Sequence, residues 1–123
     1  MERAPLPLAH LNLTVTDLDR SIAFYRRWFG FDRPTTTYPD GTVFLRNEDR
    51  FDLALHAGPV PAAPLRSMHF GFRSHDAEQV RRLRAELTAA GVALTEQHDE
   101  PDYVGFKCLD PDGYEIEVYW ESG

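Results

Sequence analysis

A shift of 59 positions lays the second half of this chain on the first: it carries His10 onto His69 and Asp17 onto Asp76. The order of elements repeats with it. Residues 10–16 alternate with period two, with Leu11, Leu13 and Val15 on one face and His10, Asn12 and Thr14 on the other. Asp17 or Asp19 can cap a following helix whose apolar stripe is Ile22, Tyr25, Trp28 and Phe29, and Gly30 is placed to end it. Three short strands are expected over about 32–37, 42–46 and 51–56, with turns at 39–41 and 47–49. After a proline-rich connector (58–65) the pattern restarts. Residues 67–73 alternate, with Met68, Phe70 and Phe72 opposite His69, Gly71 and Arg73. Asp76 caps a helix carrying Val80, Leu83 and Leu87 that stops near Gly91. Strands over about 93–96, 104–109 and 114–120 complete the second copy. A single βαβββ unit has a sheet face that it cannot cover alone, so two units in one chain are expected to depend on each other.

The 123 residues suit one domain, 1–123, made of module one (about 8–57) and module two (about 66–121). A formal charge of −7 argues against nucleic acid as a partner, because phosphate binding needs a basic surface. Cys108 is the only cysteine and cannot form an internal disulfide, which suits a reducing compartment. No apolar run approaches the length of a membrane span, and residues 1–8 carry prolines without a signal-like apolar stretch. The expected location is the cytoplasm, with no membrane partner.

Three side chains on the polar faces carry the chemical signal. His10 and His69 open the first strand of each copy. On the closing strand Ile116, Val118 and Trp120 take the apolar face and leave Glu115, Glu117 and Tyr119 opposite. If helices cover the apolar faces, the polar faces line a concave interior. His10, His69 and Glu117 there would offer two imidazole nitrogens and one anionic oxygen. That set suits a divalent Fe, Mn, Ni, Co or Zn ion and leaves positions open for substrate.

Two stretches resemble a known family. His10-Leu-Asn-Leu-Thr-Val-Thr-Asp-Leu-Asp-Arg-Ser-Ile-Ala-Phe-Tyr25, with Phe29-Gly30-Phe31, is similar to the first strand and helix of the vicinal oxygen chelate superfamily. Asp110-Pro-Asp-Gly-Tyr-Glu-Ile-Glu117 is similar to its closing hairpin. The superfamily includes glyoxalase I, extradiol dioxygenases, fosfomycin resistance enzymes and bleomycin resistance proteins. The resemblance implies two βαβββ modules in a curved, open, eight-stranded barrel-like sheet with helices outside. It places the metal ligands on His10, His69 and Glu117. It also implies metal-dependent chemistry on a small substrate held by two neighbouring oxygens, passing through an enediolate- or catecholate-like species. A non-catalytic, antibiotic-sequestering protein is the alternative. Short members of the family commonly form homodimers whose sites are shared between chains, so that His10 would come from one chain and His69 with Glu117 from its partner.

The remaining candidates follow from the repeat and the resemblance. Aligning the turns 47–50 and 110–113 sets Ala54 against Glu117, so the fourth ligand of glyoxalase I is missing. His56 lies on the same face and could act as a base or an added ligand, or could simply cap its strand. Lys107 should share the concave face with Gly105 and could neutralise an anionic substrate or donate a proton. Substrate contacts are expected from Asn12, near a threonine of the fosfomycin enzymes, and from Arg73, suited to a carboxylate or phosphonate. The resemblance to extradiol dioxygenases sets His98 where they place a histidine just outside the metal's ligands, whereas Phe51 and Lys107 stand where those enzymes carry their acid–base histidine and active-site tyrosine. Phe51, Tyr103 and Tyr119 could supply apolar walls.

Overall fold

In the computed structural model, which describes residues 4–60 and 68–123, the two aspartates that the repeat superposes both cap helices. The Asp17 carboxylate accepts from the backbone N–H of Arg20 and opens α1, Leu18–Phe29. The Asp76 carboxylate accepts from the N–H of Glu78 and opens α2, Ala77–Ala89. Each cap satisfies a donor that the first helical turn leaves without a partner. The stops are alike as well: Gly30 (φ 69°) and Gly91 (φ 82°) both occupy the left-handed region.

Two compact units result, Met1–Pro59 and Val60–Gly123. The first contains β1 (His10–Val15), α1, β2 (Thr36–Thr37), β3 (Val43–Arg46) and β4 (Asp52–Ala57). Its sheet runs β1-β4-β3-β2, with β1 and β4 parallel and the other pairs antiparallel. The second contains β5 (Phe70–Arg73), α2, β6 (Leu94–Glu100), β7 (Tyr103–Leu109) and β8 (Glu115–Glu121). Its sheet runs β5-β8-β7-β6, again with only the first and last strands parallel. The fold is therefore α+β and built from two βαβββ modules, as the repeat requires.

Burial follows the period-two pattern. In the first unit Leu13, Val15, Val43, Leu45, Leu53 and Leu55 are buried with Tyr25 and Phe31, and α1 packs on β4. In the second, Val104, Phe106, Cys108, Ile116 and Val118 are buried with Val80 and Leu87, and α2 packs on β7 and β8. Fully burying one such leucine or valine contributes roughly 1.5–3 kcal/mol. Of the expected α1 stripe only Tyr25 is fully buried, while Ile22, Trp28 and Phe29 are half-buried.

The strands depart from the sequence reading at their ends, each for a visible reason. The strand expected over 32–37 shrinks to Thr36–Thr37, because Pro34 has no N–H to give to a ladder. The strand expected over 93–96 extends to Glu100. Its outer half is polar on both faces, and the hydrophobic pattern could not reveal it. A bulge at Thr95 separates the pairs Leu94↔Cys108 and Glu96↔Lys107 and turns Glu96 and His98 to the face of Lys107 and Gly105. His69 sits one residue ahead of β5, and Phe51 one residue ahead of β4. Residues 58–60 of the connector form neither helix nor strand; the rest of it, and Ser67, lie outside the described residues.

Candidate functional site

On the first unit's polar face β1 and β4 run in register, pairing His10 with Asp52, Asn12 with Ala54 and Thr14 with His56. The His56 ring lies between two of these neighbours. Its Nδ1 is 2.9 Å from Asn12 Oδ1, and its Nε2 is 2.7 Å from Thr14 Oγ1. An amide oxygen only accepts, so Nδ1–H donates to it, while the threonine hydroxyl can either donate to Nε2 or accept from it. A pocket of about 380 Å³ opens beside this triad, lined by Asn12, Leu18, Asp40, Gly41, Thr42, His56 and Ala57. The Thr42 N–H donates to the Asp40 carboxylate across a turn at Gly41 (φ 89°) and holds its pKa below the ordinary range.

His10 is exposed, and its register partner Asp52 is committed elsewhere. Arg46 grips that carboxylate with Nε at 2.7 Å and Nη2 at 3.1 Å and keeps it ionised below the usual carboxylate range. Ala54 is buried and offers no donor. Phe51 is half-buried, and its N–H donates to Asn47 Oδ1. Arg50 in that turn takes a left-handed φ of 63°.

The second unit carries the carboxylate that the first lacks. Glu117 stands opposite Gly71 on β5 and Lys107 on β7. A Cβ built on Gly71 would fall 3.0 Å from the Glu117 carbonyl oxygen and 3.2 Å from its Cβ, so the glycine makes room for this residue. His69 Nε2 is 3.1 Å from Glu117 Oε1, and Tyr103 donates its hydroxyl to Oε2 at 3.1 Å. The Tyr103 ring stacks on Tyr119 and meets the edge of His98. Desolvation, and then the bond to Glu117, push the Tyr103 phenol up to about 12. Lys107 turns its ammonium to Glu96 Oε2 at 3.6 Å, and His98 Nε2 reaches the same oxygen at 3.2 Å. Glu96 is thereby held below its ordinary pKa, first by His98 and then by Lys107. Arg73, half-exposed, faces Glu121 at 3.8 Å.

The candidates thus fall into two groups, His56 with Asn12 on the first unit and His69, Glu117, Tyr103, Tyr119, His98 and Lys107 on the second. Among the described residues no three His, Cys, Asp or Glu side chains gather closely enough to hold a metal ion. His69 Nε2 and Glu117 Oε1 meet as a pair, at hydrogen-bond distance.

The family model for the Glyoxalase/Bleomycin resistance protein/Dioxygenase superfamily matches residues 8–118. The chain belongs to that superfamily. An uncharacterized protein of Pseudomonas aeruginosa is 33% identical over 119 residues, covering 89% of this chain and 85% of its own length. A trivalent organoarsenical cleaving enzyme of Bacillus sp. (strain MD1) is 29% identical over 119 residues, covering 91% of this chain and 71% of that protein. Among solved structures, the fosfomycin resistance protein FosX of Listeria monocytogenes, complexed with Mn(II) and sulfate, superposes with a TM-score of 0.76. The match has 17% identity and covers 97% of this chain and 93% of that one. At that identity it speaks for the shared glyoxalase-superfamily fold alone.

For this superfamily member, sequence reasoning missed three participants. Glu96 went unnoticed because the bulge that turns it inward leaves no hydrophobic signature. Asp52 was hidden by its position at the start of β4, and Asp40 by its place in a turn. No helix among the described residues is long and apolar enough to cross a membrane.

Proposed function

We propose that this chain is a metal-dependent enzyme that holds a divalent cation through His69 and Glu117, with His10 as the third protein ligand. The observation that carries this reading is the meeting of an imidazole nitrogen and a carboxylate oxygen, His69 Nε2 and Glu117 Oε1, at 3.1 Å, a donor pair of the kind divalent ions take. Fe, Mn, Ni, Co and Zn all suit a nitrogen and oxygen set of this kind, and the Listeria relative's complex with Mn(II) makes manganese the first ion to try. His10 comes from the first unit of a partner chain in a homodimer, which gives two equivalent sites. The cytoplasm, a reducing compartment, suits the free thiol of Cys108.

A metal bound there supplies a Lewis acid for two neighbouring oxygens of a small substrate and offsets the negative charge that develops on them. The chain's own residues do the rest. Glu117 is held at both oxygens, by His69 and by Tyr103. Lys107, one strand away and paired with Glu96, places a cation beside the site to hold an anionic group or return a proton. On the first unit, Asn12 and Thr14 fix the His56 ring at both nitrogens, so its use as a base requires the Thr14 hydroxyl to leave Nε2. An arsenical substrate is disfavoured. Trivalent arsenic seeks thiolates, while burial pushes Cys108, the only thiol, up to about 12.

The test is metal content by mass spectrometry on tag-free protein purified without chelator, beside Glu117→Ala. Near-stoichiometric metal that disappears in the variant supports the reading and justifies screening diols, 2-oxoaldehydes and epoxides. Protein that stays metal-free after reconstitution removes it and puts the sequestering alternative first.

A further inference from the structure

Glu117 has two oxygens, and the structure divides them. Oε1 faces His69, while Oε2 is taken by the Tyr103 hydroxyl. Tyr103 is not a register neighbour of Glu117. It lies four residues along β7 from Lys107, the residue directly opposite. To reach the carboxylate the ring must lie back along its own strand, and it passes over Gly105. A Cβ at position 105 would come within 2.7 Å of the Tyr103 hydroxyl oxygen and 3.0 Å of Cε1 and Cζ, so the Tyr103 ring would have to move off its place. The ring is held on its other sides by Tyr119 (centroids 6.2 Å, stacked) and His98 (5.9 Å, edge-on).

We propose that Tyr103 is a positioning residue for the metal site, and that Gly105 is the residue that makes its reach possible. With Oε2 engaged, the carboxylate presents one oxygen to a cation and leaves the neighbouring position open for substrate. Groups that hold a metal-binding side chain from behind typically set metal affinity by about 10- to 100-fold. The inference rests on the metal-binding reading above and deepens it.

Mn(II) titration followed by electron paramagnetic resonance, which counts free Mn(II), tests it without any activity assay. Wild type, Glu117→Ala, Tyr103→Phe, Gly105→Ala and the double variant are compared, with thermal melting of each metal-free protein as a folding control. Tyr103→Phe and Gly105→Ala should each weaken Mn(II) binding about tenfold, and the double variant should be no weaker than either, because both remove the same bond. Wild-type affinity in Tyr103→Phe overturns the inference whether or not Gly105→Ala folds, and so do additive losses in the double variant. If wild type itself takes up no Mn(II), it is the metal-binding reading that has failed. Loss in Glu117→Ala alone leaves that reading standing and rejects only the role of Tyr103.

Discussion

At the scale of single residues, much of the polar architecture consists of carboxylates whose partners decide what they are free to do. Asp52 and Glu117 occupy the sheet faces of the two units, but Arg46 consumes the first, while the second meets only a histidine and a phenol. Asp99 is another committed carboxylate. Arg81 and Arg84 of α2 grip it where it projects from β6 and hold its pKa below the ordinary 3.8. A depressed carboxylate stabilises the fold above its unfolded pKa, and that contribution is lost as pH falls through the folded value. Asp99→Asn should therefore lower the melting temperature slightly at neutral pH, and the difference should close as pH falls through the lowered folded pKa, where wild type loses the same interaction. Melting curves across that range decide it, and a constant offset at every pH would mean that the charge is not what matters. The candidate ligands could be read from parity and the repeat. What each one touches could not, because partners such as Arg46, Glu96 and Tyr103 lie on neighbouring strands whose register no local pattern encodes.

At the scale of elements, the repeat was the more informative signal. Both caps, both glycine stops and the strand order could be read from alternation and spacing, since these depend on neighbouring residues. Strand ends depended on tertiary pairing: Pro34 shortened β2, and the ladder with β7 carried β6 through six polar residues. Helix α1 also contains an imperfection that propensity does not show. Ser21 is fully buried, and its hydroxyl has no hydrogen-bond partner among the described residues. Burying an unpaired hydroxyl costs on the order of 1 kcal/mol or more. Ser21→Ala should accordingly raise the urea midpoint, with a gain of about 1 kcal/mol. A lowered midpoint would show that the hydroxyl has a role in the folded chain.

At the scale of the whole molecule, duplication leaves each chain with one candidate ligand histidine per unit, His10 and His69, and the candidate ligand carboxylate, Glu117, in only one of them. If sites are shared between chains, two broken proteins can repair each other. His10→Ala retains His69 and Glu117, and Glu117→Ala retains His10, so a heterodimer of the two contains one intact site and each homodimer none. Co-expression should restore metal binding in the purified heterodimer at one ion per pair; sites confined within a chain would restore none. The close approach of β5 and β8 also limits how such a protein can change. Glu117 faces a glycine, whereas its counterpart Ala54 faces Asn12, so the bulk of each pair has moved to the opposite strand. A mutational path toward a carboxylate in both units is therefore a coupled one. Position 54 stands opposite Asn12, so a glutamate there would share its strand pair with the residue that holds His56, and any change made to accommodate one reaches the other.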